Sequence, residues 1–190
     1  TLFPYTTLFR LWASGINDIG YFNDNIPHKE DGLFTIRLKY TAATGAWKET
    51  KTKTGKILID YSAKQMGLFG NAYLIAPGDT ANWASGEDGY QLHVPVKTGN
   101  VYTWTWNNAA LIAEREFIFL ENGAWGGIQL DWSMLTTVGG QSVTNGDIVD
   151  ATTTGGEWHN FKVITGGNYN ISLVIDAEAE TKTVTIVSTP

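Results

Sequence analysis

The sequence predicts an antiparallel all-β sandwich, immunoglobulin-like or like a carbohydrate-binding module. Three observations lead there: apolar residues alternate at period two in several short runs, Gly-rich turns separate the runs, and no stretch sustains a helical period. Composition agrees. Hydrophobic residues make up 43% of the 190 residues, enough for a packed core, which excludes a disordered chain. The 21 Gly and 8 Trp suit short strands, tight turns and aromatic surface beyond what a core requires.

Taking the chain in order, the opening stretch TLFPYTTLFR resembles a translated sequencing-adapter fragment. It is set aside from fold reasoning, the alternative being a genuine strand. From Leu33 to Tyr40 the pattern is clean: Phe34, Ile36, Leu38 and Tyr40 share one face, and Thr35, Arg37 and Lys39 the other. That predicts a half-buried strand, which turns at 41–45 and pairs with 46–53 as a hairpin. Residues 55–68 read as a linker or edge segment. Strands follow at 71–76, 90–96, 101–106 and 116–120, with a possible short one at 128–132 and another at 158–164. A polar loop occupies 77–88. The closing hairpin alternates Tyr169, Ile171, Leu173 and Ile175 with polar neighbours, turns at 176–180 and returns through Val184 and Ile186. Roughly seven or eight short strands of this kind make a sandwich. Residues 133–157 are read as a long polar loop rich in Gly, Thr and Ser, of a length that is usually functional or mobile.

The segment Gly32-Leu33-Phe34-Thr35-Ile36 lines up with Gly167-Asn168-Tyr169-Asn170-Ile171. This weak internal repeat suggests tandem copies of one module, the alternative being a chance likeness of two hairpins. The expected organisation is therefore an artefactual 1–10, the end of a preceding module at 11–55, a linker at 56–68, and a complete module at 69–190.

Charge and composition narrow the function. A net charge of −6 lacks the basic face a phosphate backbone requires, so nucleic acid is not an expected partner. With no Cys there is no disulfide framework, thiolate metal site or cysteine nucleophile. His28, His93 and His159 are far apart and lack metal-ligand spacing, so no zinc site is expected. Asp79, Asn82, Glu87 and Asp88 crowd one loop with oxygen ligands suited to calcium, but their spacing matches no EF-hand, and solvated acids are the simpler reading. No cofactor or metal is expected. Glycoside cleavage needs two carboxylates across the scissile bond. Glu114 and Glu116, two apart on one strand, read instead as an exposed charged edge, and no catalytic residue is assigned.

The aromatics say more. An indole stacks on the apolar C–H face of a sugar ring while nearby donors and acceptors read the hydroxyls. Trp83 sits in a loop with no other large apolar residue, so it is either such a platform or a plug folded onto the core. Trp125, in Gly123-Ala124-Trp125-Gly126-Gly127, faces the same choice. Trp104 and Trp106 share a strand face with Tyr102 and read as core. Trp158 is out of phase with Phe161 and Val163, so it faces outward or marks a bulge, and Trp132 is unassigned.

These residues carry a resemblance. Asn71-Ala72-Tyr73-Leu74-Ile75, Gly78-Asp79 and Trp83 resemble the opening of the repeated domains of SusE/SusF outer-membrane starch-binding lipoproteins. The likeness continues through Gly99-Asn100-Val101-Tyr102-Thr103-Trp104, Glu116-Phe117-Ile118-Phe119, Trp125-Gly126-Gly127 and the closing hairpin, covering about 69–187. It implies tandem β-sandwich modules on the outer face of a Bacteroidetes-type cell. They would hold a polysaccharide or oligosaccharide without cutting it, serve an outer-membrane glycan-uptake complex, and reach the membrane only through an N-terminal lipid anchor preceding these residues. In the family an aromatic of the first loop stacks on the sugar, and a Lys or Arg with a nearby Asn binds hydroxyls. Trp83 matches the aromatic. The basic position is Ile118 here, the polar position three residues on is Glu121 with Asn122 beside it, and Arg115 substitutes only if its strand turns it toward Trp83. The expected carbohydrate-binding residues are thus Trp83, Trp125, Arg115, Asn122 and Glu121. Two other readings stand beside this one: a ligand-free spacer or adhesin-like sandwich, and a domain of a carbohydrate-active enzyme.

Overall fold

The structure, a computed structural model, describes residues 32–76, 79–80, 83 and 91–190. Its contacts divide the chain into Thr1–Ile57 and Leu58–Pro190. The adapter-like decapeptide, Trp12, His28 and the loop residues Asn82, Glu87 and Asp88 lie outside the described residues, as does the Asp79 side chain.

In the first unit the expected hairpin forms. Strand β1 (Leu33–Thr41) pairs antiparallel with β2 (Ala46–Gly55), with Leu38 opposite Glu49. The turn is closed by Thr44 N–H donating to the Thr41 carbonyl at 3.1 Å and passes through Gly45 at φ +65°. The half-buried face is not realised: Ile36, Leu38 and Tyr40 are exposed. Among the described residues no further strand packs on this two-stranded ribbon, and Phe34 is half-buried.

The second unit is the sandwich. Its strands are β3 (Met66–Gly70), β4 (Leu74–Ala76), β5 (Asp79–Thr80), β6 (Val96–Thr98), β7 (Val101–Leu111), β8 (Arg115–Glu121), β9 (Gln129–Leu130), β10 (Thr137–Gly139), β11 (Ile148–Asp150), β12 (Phe161–Val163), β13 (Gly167–Asp176) and β14 (Thr181–Ser188). One sheet runs β10-β14-β13-β7-β6; the other runs β11-β12-β8-β3, with β9 also paired to β8. All pairs are antiparallel except β10 with β14. Inward residues of the two sheets meet in one core. Trp104, Trp106, Ile171, Leu173, Val184 and Ile186 come from the first sheet; Met66, Leu68, Phe117, Phe119, Phe161 and Val163 come from the second. Across the interface the Trp106 and Phe119 rings lie 5.3 Å apart. The expectation that Trp104 and Trp106 are core holds, and both indole N–H groups are satisfied: Trp104 donates to the Lys64 carbonyl at 2.9 Å and Trp106 to that of Gln91 at 2.8 Å.

Two expected boundaries shift. Residues 56–68 are not all linker, because β3 starts at Met66 and is buried on both faces. Its end is fixed by close backbone approach: a Cβ on Gly70, at φ +154°, would sit 2.2 Å from the Glu116 carbonyl oxygen. The strand expected at 90–96 shrinks to a single bridge of His93 with Met66, followed by β6. Gln91 at φ +43° and Pro95, which has no N–H, interrupt any ladder.

The long loop expected at 133–157 is mostly ordered structure. A 3-10 turn (Trp132–Met134), β10, helix α1 (Gln141–Thr144), β11 and a second 3-10 turn (Ala151–Thr154) follow one another. Asp131 and Asp150 cap the two 3-10 turns, each accepting a backbone N–H two or three residues ahead.

Candidate functional site

The alternation of β8 sets up the site. Phe117 and Phe119 point into the core, so Glu116 and Ile118 face outward on the opposite side of the sheet. Ile118 is paired with Phe69 of β3 and Glu116 with Lys162 of β12, which puts those residues on the same outer face. Glu116 is held from behind: its N–H donates to the Asn71 side chain at 2.9 Å, and its carbonyl accepts from the N–H of Asn71 and of Ala72.

Over this face three Trp residues from three separate segments border one groove of about 580 Å³. Trp83 meets Phe69 edge-on, ring centroids 5.8 Å apart at 71°, and Trp125 meets the same ring at 4.9 Å and 82°. Trp158, just before β12, is 67% exposed, and Trp125 is 52% exposed. Ile118, only 5% exposed, contributes apolar floor, and Met134 apolar wall. The polar groups on the groove are Glu116, Gln129, Asp131 and Asn160. This is the composition of a small-ligand site: largely aromatic and apolar, with a few polar groups to fix orientation.

The loops that present the aromatics are fixed by specific bonds. The Glu121 carboxylate accepts from Lys64 at 2.8 Å and from the Ile128 N–H at 3.1 Å, while the Glu121 backbone bonds Ile128 and Ala124. Together these close the turn that carries Trp125. The Lys64 ammonium beside it, and secondarily the Ile128 N–H, hold the Glu121 carboxyl below its ordinary range against the opposing effect of burial. Trp158 is held by its neighbours: Trp132 N–H donates to the His159 carbonyl at 2.7 Å, Ala151 N–H to the Asn160 carbonyl at 3.0 Å, and the Asn160 amide to the Glu116 carboxylate at 2.8 Å. The His159 ring pairs with Asp150 at 2.8 Å. That bond raises the His159 pKa. Burial pushes the Asp150 carboxyl up, but the bonds from His159 and Thr152 outweigh it and hold the group below its usual value.

Of the five residues expected to bind carbohydrate, the structure brings together Trp83 and Trp125. Trp83 combines both readings offered for it, covering Phe69 while bordering the groove. The other three lie off it. Arg115 is exposed and, one residue from Glu116 on a strand, points to the other face. Glu121 is buried in its bridge to Lys64. Asn122 is a turn residue at φ +56° whose N–H donates to the Gln65 carbonyl. Glu121 and Asn122 therefore shape the Trp125 turn instead of lining the groove.

The reading of Glu114 and Glu116 as one exposed edge also changes. Glu114, at φ +62°, lies in the turn before β8 and pairs with Lys162 at 3.1 Å, while Glu116 is half-buried in the groove. Trp158 does face outward. Gln129, Asp131 and Asn160 were not anticipated; the signal available was their spacing around Trp132 and Trp158, which needs strand register to interpret. Among the described residues no group of His, Asp and Glu is arranged to hold a metal ion. A second depression of about 550 Å³ shares Gln129 and Met134 with the groove and carries Lys64 and Lys182. No family model matches the chain, and no curated protein or solved structure matches it either.

Proposed function

We propose that this protein holds a saccharide, without cleaving it, in the groove formed by Trp83, Trp125 and Trp158. The observation that carries the reading is the convergence of three indoles from separate loops on one outer sheet face, two of them more than half exposed. Exposed apolar rings clustered on one polar-rimmed face mark an interaction site, and flat rings beside amides and carboxylates suit a sugar's alternating C–H faces and hydroxyls. The resemblance to SusE/SusF modules supports placing that binding at the outer surface of a Gram-negative cell, in service of glycan uptake. Ile118 on the groove floor supplies van der Waals contact where those modules use a base, so hydroxyl recognition falls to Glu116, Gln129, Asp131 and Asn160.

One observation favours a second reading, a glycoside-cleaving domain: Glu116 and Asp131, two carboxylates, border the same groove. Each has a structural partner already, Asp131 as the cap of a 3-10 turn and Glu116 as acceptor of the Asn160 amide. Calorimetric titration of the full chain with a panel of neutral and charged oligosaccharides separates the readings. Saturable binding, weakened at least about tenfold by Trp158→Ala with an unchanged melting temperature, supports the binding module. Release of new reducing ends, abolished by Glu116→Gln, would overturn it in favour of the enzyme.

A further inference from the structure

The charge around the three indoles is one-sided. Glu116 and Asp131 border the groove, and no Lys or Arg does so among the described residues. The segments that deliver the indoles share this bias in sequence. Residues 77–90, around Trp83, include Asp79, Glu87 and Asp88 and no Lys, Arg or His; residues 123–136, around Trp125, include Asp131 and no base. Of the bases on neighbouring positions, Lys162, opposite Glu116, reaches Glu114 at 3.1 Å; His159 reaches Asp150 at 2.8 Å and faces Asp131 only secondarily; and Arg115, one residue before Glu116, points to the other face of the strand.

Indole faces attract cations through their ring quadrupole, and carboxylates beside them add direct Coulomb attraction that strengthens where water is thinned. An anionic ligand meets repulsion at the same place. We infer that the groove selects saccharides carrying a protonated amine, such as glucosamine units, over their N-acylated, neutral and uronic-acid counterparts. Trp125 and Trp158 supply the stacking faces, and Glu116 and Asp131 the counter-charge. The Asn160 amide leaves the Glu116 carboxylate its remaining lone pairs, because it occupies one site on one oxygen. The inference rests on the saccharide-binding reading and specifies the ligand for that same site.

The test is calorimetric titration of the full chain, at a pH where the amine is protonated, with four oligomers of equal length: glucosamine, N-acetylglucosamine, an α-glucan and galacturonate. The expected result is glucosamine oligomer bound about tenfold more tightly than the acetylated and neutral oligomers, and no detectable galacturonate binding. Glu116→Gln and Asp131→Asn, which keep the acceptors that Asn160 and the 3-10 turn require, should remove most of that preference, and added salt should reduce it. Attraction to the chain's net charge of −6 alone would survive Trp158→Ala, so retained glucosamine affinity in that variant overturns the inference. Neutral oligomers binding as tightly as glucosamine, or a preference unchanged by both carboxylate substitutions, overturns it while leaving saccharide binding standing. Failure of all four to bind overturns both.

Discussion

The Asn160 side-chain amide donates to the Glu116 carboxylate at 2.8 Å, across 44 residues of sequence, and this bond ties the approach to β12 to the middle of the groove floor. Trp158 lies two residues before the donor and Ile118 two residues after the acceptor, so one bond sets the distance between a wall and the floor. Asn160→Ala removes a charge-assisted hydrogen bond in a half-buried position, and a loss of about 1 kcal/mol of stability is expected in chemical denaturation. Ligand affinity should fall by more than that, because the Trp158 wall loses its tether. Equal affinity in Asn160→Ala would show that Trp158 is positioned by the Trp132 and Ala151 backbone bonds and the His159–Asp150 pair without the side-chain amide.

Glu121 makes a separable prediction about the other wall. Replacing it with Ala breaks the bridge to Lys64 and leaves the Ile128 N–H without its carboxylate acceptor. Because the Lys64 side chain is 39% exposed, solvent screening reduces the Coulomb part, and about 1–2 kcal/mol is expected from the lost hydrogen bonds. The folded carboxyl is held below its ordinary 4.5, so its contribution is present above that value and is lost as pH falls through the folded one. Acid titration of wild type and Glu121→Gln should therefore diverge above this range and converge below it. Trp125 emission should shift with the same midpoint.

Gly70 tests the backbone crossing under the site. Its φ of +154° is open to glycine, and an added Cβ would lie 2.2 Å from the Glu116 oxygen and 2.7 Å from the Phe117 Cα, both backbone atoms that have no room to yield. Gly70→Ala should destabilise the sandwich by about 3 kcal/mol or more, read as a drop in melting temperature with loss of near-ultraviolet signal. Gly45→Ala, with nothing within 4 Å of the added atom, carries only the strain of its +65° φ and should have a much smaller effect.

What was legible in the sequence follows element length and register. Trp104 and Trp106 were readable as core because Thr103 and Thr105 interleave them over a strand of 11 residues, long enough for period two to show. The first three residues of β3, Met66, Gly67 and Leu68, hid in the linker because Met-Gly-Leu-Phe-Gly is buried on both faces and so does not alternate. The structure within 133–157 was invisible for another reason: its strands and turns are three or four residues long, shorter than any window in which periodicity can be counted. In the site, Trp83 and Trp125 stood out as large apolar residues in polar or Gly-rich loops. Glu116 and Asn160 did not, because their partnership depends on β12 pairing with β8 in the register that sets Lys162 opposite Glu116.

The His159–Asp150 pair gives the site a pH dependence with a definite sign. Hydrogen bonding to Asp150 raises the His159 pKa above its ordinary 6.5, so the stabilisation is fully present below that value and is lost as pH rises through the higher folded one. Asp150 behaves oppositely: its carboxyl is held below 3.8, and its contribution is lost only as pH falls through the lowered value. Between these limits the ion pair is intact and secures the residue next to Trp158. Asp131 also faces His159 electrostatically and adds to the upward shift. Ligand affinity should therefore weaken as pH climbs past the His159 transition, followed by Trp158 fluorescence and by imidazole resonances in NMR. His159→Gln should flatten that profile and leave the chain folded, since the ring itself is exposed. A profile unchanged by the substitution would assign the pH dependence to the ligand's own amine, whose deprotonation over the same range is the competing source.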